Sequence, residues 1–179
     1  MSNIVIRVGS MRKGGNTDLL ARRFAEGAAL HNSVEIIAVA DYKVAPCIGF
    51  NTCFNRESHA CFHHDDMEVI YGKLLREDIL VIPSPVFFYG ISAKLKAIID
   101  RLHTPMRNSF AIRKLALLLV GAASLPNLFD PILMQYQMIL DFFHLQNCGK
   151  VLVSSVKDMG DIIGHPALDE AYRLGASIE

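Results

Sequence analysis

An α/β fold is predicted for this chain: a doubly wound, five-stranded parallel sheet with helices on both faces, formed by residues 1–179 as a single domain. Three observations predict it. Five apolar runs rich in β-branched residues recur along the chain: Ile4–Val8, Val34–Val39, Ile79–Ile82, Leu115–Val120 and Val151–Val156. Helical spacing occupies the gaps between them, the alternation expected of a parallel sheet. The third and fourth runs are almost continuously apolar, as central strands buried on both faces are.

The elements follow in order. After the first run and a loop over residues 9–16, a helix begins near Thr17, with Leu20, Phe24 and Ala28 on one face. The second run leads into an irregular stretch, residues 41–64, rich in Cys, His and Asn. Met67, Ile70, Tyr71 and Leu74 then form the stripe of a second helix, with Asp65 and Asp66 at its positive start. Leu95, Ile98, Ile99 and Leu102 repeat that spacing behind Ser92, an expected N-cap. Leu133, Tyr136, Leu140 and Phe143 mark a long fourth helix that Pro131 opens. Met134, Met138 and Phe142 make this helix apolar around much of its circumference, which suits either extra core packing or a subunit surface. Leu168, Ala171 and Tyr172 mark a fifth helix after His165-Pro166.

Eighteen basic and eighteen acidic residues cancel. No global field draws the chain to nucleic acid or to an anionic membrane. No apolar run approaches the ~18 residues of a membrane span, and no secretory leader pattern precedes the first strand. Four unevenly spaced cysteines, at 47, 53, 61 and 148, do not make a disulfide framework. A reducing cytoplasm is the expected location.

Chemistry concentrates in two loops. Gly9-Ser10-Met11-Arg12-Lys13-Gly14-Gly15-Asn16-Thr17 joins a strand to a helix N-terminus. Free backbone amides and the positive end of the helix dipole make that junction an anion site. Ser10 and Thr17 add hydroxyls, and Arg12 adds a charge suited to a phosphate dianion. A Walker A loop would need Lys at 15, where Gly15 stands, and a dinucleotide fingerprint would need Gly at 11, where Met11 stands. The second loop, Pro83 to Ser92, carries Pro85, Val86, Phe87, Phe88, Tyr89 and Gly90. Two prolines, three aromatics and a glycine expected to allow a tight turn suit the wall of a flat ring system, although the aromatics would equally serve to cover the end of a sheet. Right-handed crossovers bring both loops, and residues 121–127, to one edge of the sheet.

Ser10-x-Arg12-x-x-Gly15-Asn16-Thr17, followed by Ser84-Pro85-Val86-Phe87-Phe88-Tyr89-Gly90-Ile91-Ser92-Ala93-x-Leu95-Lys96-x-x-x-Asp100-Arg101, resembles the NAD(P)H-dependent FMN reductase family of flavodoxin-like proteins. Pro46-Cys47-Ile48-Gly49, Asp65-Asp66-Met67, Gly160-Asp161-Ile162 and His165-Pro166 continue the resemblance over essentially the whole chain, toward the iron–sulfur flavoprotein branch. The resemblance implies a flavodoxin-like sheet in the order 2-1-3-4-5 and FMN, with Ser10, Arg12, Gly15, Asn16 and Thr17 around its phosphate and Pro85 to Gly90 around its ring. It implies NAD(P)H as electron donor and a quinone, free flavin or similar small molecule as acceptor, in a homodimer or homotetramer. Because the cofactor carries the chemistry, no catalytic side chain is expected. A flavin-bound electron carrier without direct NAD(P)H oxidation is the alternative; an acidic docking face would favour it. A structural subunit that has lost FMN is a third reading.

In the iron–sulfur branch this loop carries four cysteines. Cys47, Cys53 and Cys61 match the first, third and fourth, but Phe50 stands at the second and cannot ligate iron. An iron–sulfur cluster is therefore not expected. A zinc site from these cysteines with His63 or His64 follows no recurrent spacing. Three reduced thiols, in a loop packed over the flavin or against a partner, are expected instead. Cys148, at the start of the last strand, is expected to be a small core residue.

Overall fold

Five parallel strands pair in the order β2-β1-β3-β4-β5 in the computed structural model, which describes residues 1–179. In chain order the elements are β1 (Asn3–Val8), α1 (Asn16–Ala28), β2 (Ser33–Ala38), a short α2 (Thr52–Asn55), α3 (Met67–Leu74), β3 (Ile79–Pro85), α4 (Ala93–Asp100), β4 (Lys114–Val120), α5 (Asp130–Phe143), β5 (Gln146–Val153) and α6 (Ala167–Ala176). Single 3-10 turns occupy Val39–Asp41 and Pro105–Ser109. The order and the parallel pairing are those expected from the sequence.

Alternation along the buried strands divides the core into two layers. Ile4, Ile6, Val8, Val81, Leu118 and Val151 face α1 and α6; Val5, Leu80, Ile82, Leu115, Leu117 and Leu119 face α3, α4 and α5. α1 and α6 cross at glycines. A Cβ on Gly27 would meet the Tyr172 carbonyl, and one on Gly175 the Phe24 carbonyl, so neither position admits a side chain. This crossing holds α1, and hence the loop at its N-terminus, firmly against the sheet.

The Ser92 hydroxyl accepts from the Leu95 amide, as expected of the N-cap of α4. Pro131 stands in the first turn of α5. Two strand ends differ from expectation. β3 continues beyond Ile82 to Pro85, carrying the site loop on a rigid strand. β5 begins at Gln146, five residues before the apolar run that starts at Val151: its first half, Gln146-Asn147-Cys148-Gly149-Lys150, is polar, and its register with β4 shifts at Leu115/Ala116. Cys148 is half-buried against the α1/α6 layer, and burial pushes its thiol pKa up.

Arg7 on β1 is an oddity inside the second layer. It is 2% exposed, donates from Nη2 to the Ile70 carbonyl at 3.4 Å, and leaves Nη1 without a partner. Burial pushes its pKa down to about 10 against the pull of Tyr42, Glu35 and Glu77, so it remains charged at neutral pH.

Candidate functional site

At the C-terminal edge of the sheet, the loops after β1, β3, β4 and β5 converge on a cleft of about 200 Å³. Ser10, Arg12, Gly15, Asn16 and Thr17 form one wall, Pro85, Val86 and Phe87 another, and Val120 and Ala122 the floor. Eight of the eleven residues singled out from the sequence thus meet in one place.

The phosphate-like end is built from backbone. Gly15 is the N-cap of α1 and no side chain caps it. The amides of Asn16, Thr17 and Asp18 donate to no protein acceptor, so the first turn presents free N–H groups. The Asp18 carboxylate is engaged beneath the loop, accepting from the Gly14 amide at 2.9 Å and Arg22 Nε at 3.2 Å. The Ser10 hydroxyl is likewise used on the loop itself: it accepts from the Arg12 amide at 3.1 Å and donates to the Arg12 carbonyl at 3.3 Å. Lys13 pairs with Asp41, whereas Arg12 enters no ion pair and lies exposed at the rim.

Hydrogen bonds lock this loop to the next. The Ser92 hydroxyl donates to the Gly9 carbonyl at 2.6 Å, the Ser92 amide donates to the fully buried Ser84 hydroxyl at 3.0 Å, and Ser84 donates to the Pro85 carbonyl at 2.8 Å. The Gly9 amide donates to the Pro83 carbonyl at 2.7 Å. The two site loops are therefore tied directly to each other.

Phe88, Tyr89 and Gly90 depart from the expected arrangement. They lie outside the cleft, on a two-residue turn closed by reciprocal bonds between Phe87 and Gly90 at 2.9 and 3.0 Å. The turn is made by Phe88 (φ 48°) and Tyr89 (φ 63°), both left-handed, and not by Gly90, where an added Cβ would meet only ordinary contact with the Phe87 carbonyl at 3.6 Å. Phe88 projects into solvent, 97% exposed. Tyr89 and Gly90 border a separate recess with Lys96, Pro131 and Gln135.

Of the other lining residues, Met11, Val120 and Ala122 lie in or beside loops expected at this edge, whereas Val156, Lys157 and Met159, from the segment after β5, were missed. The loop's tie to Asn16 explains their presence, for the Asn16 side chain donates to the Asp158 carbonyl at 2.7 Å. Gly160-Asp161-Ile162 was the one trace of it in the sequence.

The thiol loop also differs from one expectation. No residue of 41–64 lines the cleft. The loop is instead pinned at the other end of α4: Arg101 donates from Nη1 to Asp65 at 2.5 Å and to the Ala45 carbonyl at 3.2 Å, the Ala45 amide donates back to Asp65 at 2.9 Å, and the Phe54 ring meets His103 at 5.4 Å. Burial works to raise the Asp65 carboxyl pKa, but Arg101 and the Ala45 and Met67 amides outweigh it and hold the group below its ordinary value. Phe50 packs against Phe62 at 5.6 Å. Burial raises the Cys53 thiol pKa, with Cys61 and Cys47 nearby adding to the effect.

A family model for NADPH-dependent FMN reductases matches residues 1–155. The chain belongs to that family. Its members are flavin oxidoreductases, and the sheet order places it among flavodoxin-like folds. An iron–sulfur flavoprotein of Methanosarcina thermophila is 30% identical over 174 residues, covering 93% of this chain and 84% of that protein. The iron–sulfur flavoprotein MJ1083 of Methanocaldococcus jannaschii is 40% identical over 106 residues, 59% of this chain and only 53% of that protein's length. The solved NAD(P)H:quinone oxidoreductase from Methanothermobacter marburgensis superposes with a TM-score of 0.81 over 99% of both chains, at 16% identity, a likeness of fold. Both of these relatives are named for an iron–sulfur cluster. Four thiolates hold such a cluster, and this loop offers three, Cys47, Cys53 and Cys61; Phe50 is largely exposed, with its ring against Phe62.

Proposed function

We propose that this protein is an FMN-dependent oxidoreductase that takes electrons from NAD(P)H and passes them to a quinone, a flavin or a similar small acceptor. The observation that carries the reading is the pairing of opposites in one cleft. Free amides of the α1 N-terminus and the unpaired Arg12 stand at one end, and the apolar surface of Pro85, Val86, Phe87, Val120 and Ala122 at the other. A phosphorylated ligand with a flat apolar ring matches that division. The Asn16, Thr17 and Asp18 amides and Arg12 would hold the phosphate; Pro85 to Phe87 would face the ring. When bound, FMN supplies the redox chemistry, and the protein supplies position and exclusion of water. We place the electron traffic in FMN alone, without an iron–sulfur cluster, because the Cys47–Cys61 loop is one thiolate short and lies at the far end of α4 from the cleft.

We also infer that the protein self-associates through α5. Met134, Met138 and Phe142 are 69%, 66% and 50% exposed at i, i+4 and i+8, an apolar stripe along one helix.

The test is spectroscopic. Anaerobically purified protein supplied with FMN is expected to show flavin bands that bleach on addition of NADH or NADPH, and to contain no stoichiometric iron or acid-labile sulfide. Bands that persist with both nicotinamides would identify a carrier instead. Failure to take up FMN at all would remove the reading, and cluster iron with matching sulfide would overturn the ligand count.

A further inference from the structure

The sequence motif assigns Asn16 to the phosphate, but its carboxamide is already committed elsewhere. Nδ2 donates to the Asp158 carbonyl at 2.7 Å, and Oδ1 accepts from the Gly160 amide at 2.9 Å and the Ile162 amide at 3.5 Å. On the other side of the same segment, the Asp161 carboxylate accepts from the Lys157 amide at 3.1 Å and the Asp158 amide at 2.7 Å. The 157–162 segment is thereby bolted to the first turn of α1, although more than 140 residues separate them in sequence. It lies beyond residues 1–155, which the family model matches.

This bolt delivers a charge. Lys157 lines the same cleft as Arg12, is exposed, and enters no ion pair. Asp161 is spent on backbone amides, so it does not neutralise the neighbouring lysine by pairing. A phosphate monoester carries roughly −1.5 to −2 charges at neutral pH. Arg12 supplies one positive charge and the helix N-terminus about half of another. These two fall short of a full dianion by about half a charge; one further mobile cation covers that remainder and leaves the site attractive to an anion, and an ammonium on a flexible stem suits that role as a point charge.

We propose that Lys157 is a second cation for the cofactor phosphate and that Asn16 is the positioning residue that holds it at the cleft. This rests on reading the cleft as an FMN site. The phosphate site is then assembled from both ends of the chain, with α1 giving amides and Arg12, and the loop after β5 giving the lysine.

Titrating apoprotein with FMN and with riboflavin, which lacks the phosphate, separates the possibilities. Lys157→Gln is expected to weaken FMN about threefold to tenfold, leave riboflavin unchanged, and flatten the salt dependence of FMN binding. Lys157→Arg is expected to restore most of the loss. Asn16→Ala is expected to lose FMN-over-riboflavin preference by a similar factor, and the double variant Asn16→Ala/Lys157→Gln to be little worse than Asn16→Ala alone, the non-additivity of two residues acting as one. Lys157 is a surface residue, so its variants report on binding without loss of the fold. If Lys157→Gln leaves FMN affinity unchanged while Arg12→Gln lowers it, the proposal is wrong and the cleft reading stands. Wild-type protein that binds riboflavin as tightly as FMN would overturn both.

Discussion

The two ends of the sheet carry cavities of opposite character. At the C-terminal edge the cleft is the smaller, about 200 Å³, and is built from loops, free amides and unpaired cations. At the N-terminal edge a larger cavity, about 390 Å³, opens between the ends of α4 and α5 and the 105–109 turn. Twelve of its sixteen lining residues are hydrophobic, among them Leu80, Ile82, Leu115 and Phe142. Its two arginines bond to nearby backbone carbonyls, Arg107 to Thr104 and Arg113 to Phe110 and Ile112. Size alone would select the end opposite to the one proposed as the FMN site. The smaller cleft has the donors that a charged cofactor needs; the larger cavity has apolar surface that continues onto α5 through Phe142. On the proposed reading, one end binds a phosphorylated ligand and the other is covered by a second copy.

The largest effect should come from treating the second end as an interface. Met134→Ser, Met138→Ser and Phe142→Ser together are expected to weaken self-association by about a hundredfold or more, since each buried apolar side chain contributes roughly 1.5–3 kcal/mol. FMN affinity of the dissociated protein should remain within about threefold of wild type if the two ends are separate. Sedimentation velocity across a concentration series, with flavin titration in parallel, tests both halves. A wild-type protein that is monomeric at all concentrations would break the comparison at its apolar end.

The contrast also explains what was legible in the sequence. The succession of strands and helices, the α1 junction and the Ser92 cap were readable because each depends on local signals: hydrophobic period, loop composition and a single hydroxyl; the strand order came with the family resemblance. The first half of β5 was not, since Gln146 to Lys150 are polar and their pairing comes from the β4 edge beside them. Lys157 and Met159 were hidden for a similar reason, being placed by Asn16 from the opposite end of the chain. Gly90 was misread. Composition favours glycine as the turn-maker, yet the left-handed positions fall on Phe88 and Tyr89. The apolar cavity has no signature at all, because it is a gap between elements rather than a property of any one.

Between the two ends sits Arg7, a charge buried without a carboxylate partner and with Nη1 orphaned beside a void of about 10 Å³. Replacing buried charges by apolar side chains of similar volume is commonly neutral or stabilising by about 1–4 kcal/mol. Arg7→Met is therefore expected to raise stability by about 1–2 kcal/mol in urea denaturation. Its FMN affinity should not change, because Arg7 lines neither end. A marked loss of stability would mean that the Ile70 contact is worth more than the charge costs.

The smallest effect concerns the turn beyond the cleft. Two consecutive non-glycine residues in the left-handed region cost about 1 kcal/mol or more apiece, and a two-residue turn of this kind favours Asn-Gly. Phe88→Asn/Tyr89→Gly should therefore relieve strain and stabilise the fold by about 1–2 kcal/mol if the turn is only a connector. Flavin uptake gives the second readout. Phe88 is almost wholly exposed and Tyr89 partly so, which removes core packing as the reason for aromatics there. Keeping large apolar rings in a strained, solvated turn is consistent with a contact made outside the isolated chain, to a bound ring or to a second subunit. A stabilised variant with weakened FMN binding or weakened self-association would identify which contact it is. If the variant is stabilised and both readouts are unchanged, the turn serves neither end of the sheet, and Phe88 and Tyr89 leave the site. Gly90→Val, by contrast, should bind flavin as wild type does, because the space beside Gly90 accepts a Cβ.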